Sequence, residues 1–115
     1  MTAVILGAAG SHAFKDSLSP EDFTTLTTAI HYQLIHAVLI VTISGFDHFS
    51  KNQWVRSAMG LIILGIIFFS DSLILRILSQ RNIPSTMAPF GGICFILGWL
   101  SLCVGGIKEL KTTKF

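Results

Sequence analysis

Charge is what this sequence has least of. Of its 115 residues only 12% are Asp, Glu, Lys or Arg, against about 25% in a water-soluble domain, so the polar surface that a globular fold turns to solvent is missing. The net charge is only +2, and the basic residues gather at segment ends rather than in a stripe. Phosphate contact needs a dense cationic face, so no nucleic-acid partner is expected. Cysteines number two. Cys94 and Cys103 share one apolar segment and lie roughly 13 Å apart along a helix axis, too far for a disulfide. They say nothing of redox compartment. We expect no secretory signal in residues 1–14, which lack a basic start and carry only a short apolar stretch at 3–9. Nothing resembles a hydrolase triad, a P-loop or a paired-carboxylate site. The expectation is a non-enzyme with no catalytic residue, no metal ligand set and no cofactor.

What is abundant is apolar length. Hydrophobic residues make up 51% of the chain, and the mean hydropathy is +0.70. Residues 57–78 read SAMGLIILGIIFFSDSLILRIL, and a run of this length crosses a hydrocarbon core of about 30 Å as a helix. Three further apolar segments accompany it. The fold class expected is all-α, an integral membrane four-helix bundle, as a single transmembrane domain over residues 1–115. Its helices fall at about 2–14, 20–46, 54–79 and 86–110. The first is short for a span: either few of its residues rise above the membrane edge, or native sequence precedes it, and the second is favoured.

Local chemistry marks the segment ends. Ser19 can cap the second helix, Pro20 suits its first position, and Glu21 and Asp22 suit its positive end. Loop residues 47–53 are polar, Trp54 fits an interfacial anchor, and residues 80–85 form a second tight connection. Gly91, Cys94, Gly98, Ser101 and Gly105 alternate by three and four positions, which lines them up as a helix-packing seam where backbones approach closely. Phe95, Leu97, Trp99 and Leu102 are expected opposite, facing lipid or a bulky partner. Lys51, Arg56, Lys108, Lys111 and Lys114 outnumber Lys15, Arg76 and Arg81 at the other end. The positive-inside rule therefore puts both termini in the cytoplasm or matrix.

Four blocks together resemble the small membrane proteins grouped as domain of unknown function 423. They are Gly7-Ala8-Ala9-Gly10-Ser11-His12-Ala13; Tyr32-Gln33-Leu34-Ile35-His36-Ala37; Phe69-Ser70-Asp71-Ser72; and Pro89-Phe90-Gly91-Gly92 with Gly98-Trp99. Order and spacing agree over nearly the whole chain. The resemblance implies a four-helix fold in a bacterial or mitochondrial inner membrane and supplies no activity. Two departures stand out. The family usually has more residues before the first block, and it usually has glycine where this chain has Asp71.

The remaining polar residues form a candidate intramembrane cluster: His12, His31, Tyr32, Gln33, His36, Asp71 and Arg76. Counting 1.5 Å per residue, His36 lies roughly 12 Å and Asp71 roughly 10 Å below the same surface. A charge in the hydrocarbon costs about 2.5–3.5 kcal/mol, so Asp71 is expected to pair with His36 or with a basic group on a neighbouring subunit. Arg76 is expected to snorkel to headgroups, while His12, Tyr32 and Gln33 bond between helices. His31 and His36 stand about 140° apart and cannot chelate one metal from one face. The function expected is that of an accessory or interaction subunit of a larger membrane complex, with membrane lipids and other membrane subunits as partners. Two alternatives use the same polar half: a proton or solute pathway through Asp71, His36 and Tyr32, and a haem or ligand site built on His12 and His36.

Overall fold

A computed structural model describes residues 1–10, 13, 15–79 and 86–113. The chain runs through α1 (Thr2–Ala9), α2 (Pro20–Ser44), the single turn α3 (Asp47–Ser50) and α4 (Gln53–Gly65). A π-helical turn (Ile66–Asp71) leads without a break into α5 (Ser72–Ser79), and α6 (Met87–Thr112) ends the described chain. No strand occurs among the described residues. The molecule is an all-α bundle. Its α2, its α6 and the 27-residue rod Gln53–Ser79 are each long and apolar enough to cross a membrane. With eight residues, α1 is the short member. The connection expected at 80–85, together with His12 and Lys114, lies outside the described residues.

The start of α2 follows from its sequence. The Ser19 hydroxyl accepts the Asp22 N–H at 3.2 Å, and Pro20 occupies the first turn, where its missing N–H costs nothing. Thr24, Thr25, Thr27 and Thr28 each donate to the carbonyl four residues back at 2.8–3.0 Å. The threonine run thus consumes its own hydroxyls and enters an apolar phase at little cost. At the other end of the bundle Asn52 caps α4 by accepting the Trp54 N–H at 3.0 Å. Its amide also donates to Glu109 Oε2 at 2.9 Å and to the Gly105 carbonyl at 3.3 Å. Beside it Glu109 contacts His48, and Lys108 lies over the Trp54 ring at 4.5 Å. These contacts tie the α3–α4 corner to α6.

The rod and α6 pack antiparallel with almost no gap. Along α6 the buried residues are Gly91, Cys94, Phe95, Gly98, Ser101 and Gly105. A methyl group placed on Gly98 would come 2.8 Å from Ile62, and one on Gly105 would come 3.1 Å from Val55. One on Gly91 would come 2.4 Å from the Phe69 nitrogen and 2.8 Å from the Phe68 carbonyl carbon. Gly91 therefore lies directly against the backbone of the π turn. Gly65 is the reciprocal case on the rod, where the Phe95 ring would sit 2.5 Å from an added methyl.

Phe95 overturns its expected orientation. It is 4% exposed because it follows Cys94 by one residue and Gly91 by four, which sets it at the flank of the seam rather than behind it. Glycine at position 65 leaves the room it fills. Leu97 and Trp99 are exposed. Leu102 is half-buried and lines an apolar groove with Leu39, Ile43 and Phe46 of α2 and its end. Ala3, Leu26, Ala29, Ile30 and Ile74 form a small core joining α1, α2 and α5.

Candidate functional site

Where α2 faces the π turn and α6, polar and aromatic side chains replace the small residues of the other seam. His36 is 5% exposed and is fixed on every side. Its ring stacks on Phe95, with centroids 3.9 Å apart and planes 17° apart. Tyr32 stacks beyond it at 5.9 Å and meets Phe69 at 4.8 Å, while Phe69 meets Phe95 edge-on. Both ring nitrogens are engaged. Trp99 Nε1 donates to His36 Nε2 at 3.2 Å. An indole N–H can only donate, so Nε2 is an acceptor and Nδ1 carries the proton. Nδ1 then donates to the Tyr32 carbonyl at 2.6 Å.

Asp71 does not bond His36. Its Oδ1 accepts from Gln33 Nε2 at 2.9 Å. Gln33 precedes His36 by three residues, nearly a full turn, and the two side chains divide along opposite flanks of the π turn. Gln33 points to Asp71, while His36 points to Phe95 and Trp99. Two side-chain oxygens here, Gln33 Oε1 and Ser70 Oγ, are buried without a hydrogen-bond partner among the described residues, and Ser70 is 0% exposed.

Of the seven candidate residues, Tyr32, Gln33, His36 and Asp71 thus gather around the π turn. His31 turns away from them, lining a small cleft of about 190 Å³ against Gly7 and Gly10. Arg76 is exposed on α5. His12 lies outside the described residues. The aromatic members, Phe69, Phe95 and Trp99, were not among the candidates. A signal for two of them exists in the sequence: Phe95 and Trp99 are four apart on α6 and border the glycine seam. The partner of the Trp99 N–H was not readable there.

Between α2, the π turn and α6 the same residues line a cleft of about 510 Å³, formed by Tyr32, His36, Phe69, Gly92, Phe95, Ile96, Trp99, Leu100 and Cys103. Its outer wall is exposed at Ile96, Trp99 and Leu100, so it opens sideways, toward lipid. Among the described residues no group of three or more His, Cys, Asp or Glu side chains is placed to hold a metal. A metal or haem iron at His36 would have to displace the indole from Nε2. The chemistry on offer is shape, ring faces and one amide–carboxyl pair.

The model of the family described as protein of unknown function (DUF423) matches residues 6–92. The UPF0382 membrane protein SAB0533 of Staphylococcus aureus (strain bovine RF122 / ET3-1) is 39% identical over 94% of this chain and 88% of its own length. YwdK of Bacillus subtilis is 32% identical over 96% and 90%. The inner membrane protein YgdD of Escherichia coli is 28% identical over 91% and 80%. No solved structure matches the chain.

Proposed function

The chain belongs to the DUF423 family of small membrane proteins, and from that premise we propose that it is an accessory or interaction subunit of a larger inner-membrane complex, acting through lateral contact rather than catalysis. The observation that carries this reading is the sideways-opening aromatic cleft between α2 and α6. Its one titratable nitrogen base, His36, has both nitrogens consumed by Trp99 and the Tyr32 carbonyl. What remains toward the bilayer is ring surface and aliphatic surface, the material from which one membrane helix packs on another or on lipid. A pathway would need polar groups to continue inward, whereas residues 37–46 and 58–69 are nearly all apolar.

The test is native mass spectrometry of the protein extracted from its own membranes in mild detergent. A reproducible heteromeric assembly is expected. A bare monomer or homo-oligomer would overturn the accessory role, and a small molecule of defined mass retained on it would point to the cleft as a ligand site.

The same reading includes orientation. Lys51, Arg56, Lys108 and Lys111 cluster at the α3–α4 corner and the end of α6, which supports the cytoplasmic or matrix side for that end and for the C-terminus. A reporter enzyme fused after Phe115 should be active only when it functions on the inner side. Activity of an outer-side reporter would reverse the assignment.

A further inference from the structure

The outward face of the Gln53–Ser79 rod carries a carboxyl group. Arg56, Gly60, Ile63, Ile67, Leu75 and Leu78 are all exposed and recur at steps of three or four residues, apart from the interval between Ile67 and Leu75. Asp71 fills that interval, four residues after one and four before the other, and is half-buried. Its Oδ1 is held by Gln33, and its side chain makes no second hydrogen bond and no ion pair with any described residue. The rod is roughly 40 Å long at 1.5 Å per residue, and Asp71 lies about 12 Å from its end. With a hydrocarbon core of about 30 Å centred on the rod, the carboxyl group falls inside it. An intramembrane acid faces protein and is paired there, and Gln33 engages only one of the two carboxyl oxygens.

We propose that Asp71 receives a cationic side chain, lysine or arginine, from a transmembrane helix of a partner protein that lies along this stripe. The proposal rests on the accessory reading above and names the chemistry of the partner. Charge complementarity selects the cation. Gln33 orients the carboxyl group by one oxygen and leaves the other for the incoming group. Gly60, with open space where a side chain would be, lets the partner backbone approach on the same line. A second copy of this chain does not meet the requirement. Copies inserted in one orientation pack stripe to stripe at equal depth, and the only cation on the stripe, Arg56, is fifteen residues or about 22 Å away. Arg76 stands about 140° round the helix from Asp71 and lies off the stripe.

The experiment places a photo-crosslinking residue at Ile67 or at Leu75 in the full chain, in its own membranes, and identifies the crosslinked peptide by mass spectrometry. It is run in three backgrounds: unaltered, Asp71→Asn and Asp71→Leu. Asparagine still accepts from Gln33, so the internal bond survives while the charge is removed. The expected product is a transmembrane peptide of another protein that contains lysine or arginine. Its yield should fall at least about tenfold in both variants, as for a desolvated ion pair that loses one partner. Asp71→Lys combined with acid substitution of the partner's cation should restore it. Crosslinks only to a second copy, a partner peptide without a basic residue, or a yield unchanged by Asp71→Asn would each overturn the proposal. If native mass spectrometry finds the assembly but the stripe gives no crosslink, the proposal falls and the accessory role stands. If no assembly exists, the role falls as well.

Discussion

The two long seams of this bundle are held by different physics. Between the rod and α6 the contact is made by subtraction: Gly65, Gly91, Gly98 and Gly105 remove side chains, and the neighbouring surface fills the space. Where α2 meets the π turn and α6 it is made by addition, through the Gln33–Asp71 bond, the His36–Trp99 bond and a chain of four stacked or tilted rings. Lipid is as apolar as leucine, so neither seam gains from hydrophobic exclusion as a water-soluble core does. The first gains dispersion from close approach, and the second from directed bonds that have no competitor in hydrocarbon. The second leaves the aromatic cleft, because flat rings and hydrogen bonds set helix spacing by geometry and do not close every gap.

The sharpest way to break this contrast is to add one methyl group to the subtractive seam. Gly91→Ala puts a carbon 2.4 Å from the Phe69 nitrogen and 2.8 Å from the Phe68 carbonyl carbon. Both are backbone atoms of the π turn, so no side chain can swing aside. We expect a loss near the upper end of the roughly 1–3 kcal/mol typical of overpacking. Gly92→Ala, at the next position, meets nothing within 4 Å and should stay within about 0.5 kcal/mol. Thermal unfolding of both variants in one detergent measures the difference. Equal midpoints would mean that α6 does not sit on the π turn.

The same contrast explains what could be read from the sequence. The subtractive seam is periodic, and small residues at three- and four-residue steps write a face into the chain regardless of what packs on it. The four blocks that resemble the family, and the three long apolar segments, are legible for similar reasons. The additive seam depends on which polar group finds which partner across helices. His36 and Gln33 compete for positions around one turn, and nothing local says that His36 takes the indole while Gln33 takes the carboxyl group. The π turn decides this. It widens one turn of an otherwise regular apolar run, and in IIFFSD no proline interrupts the helix to announce it. Phe95 departs from its expected lipid-facing orientation for a related reason. Its place depends on Gly65, thirty residues earlier in the chain, whose missing side chain makes the pocket that the ring enters.

A smaller effect tests whether the additive seam is held by bonds or by shape. His36→Leu removes the acceptor of the Trp99 N–H and leaves that donor at the lipid-facing edge of the cleft. A destabilisation of about 1–2 kcal/mol is expected, the upper range for hydrogen bonds between membrane helices. Trp99→Phe alone should cost less, since His36 Nδ1 keeps the Tyr32 carbonyl. The double variant should be less destabilised than the sum, with a coupling of about 0.6–1.7 kcal/mol if the bond is a real constraint. His36→Gln offers a carbonyl acceptor in roughly the same place and should recover part of the loss. Thermal melts of the four variants and the unaltered protein measure all of this. Additivity would mean that the ring stack alone sets this seam, and the two halves of the bundle would then differ in residue size rather than in kind of interaction.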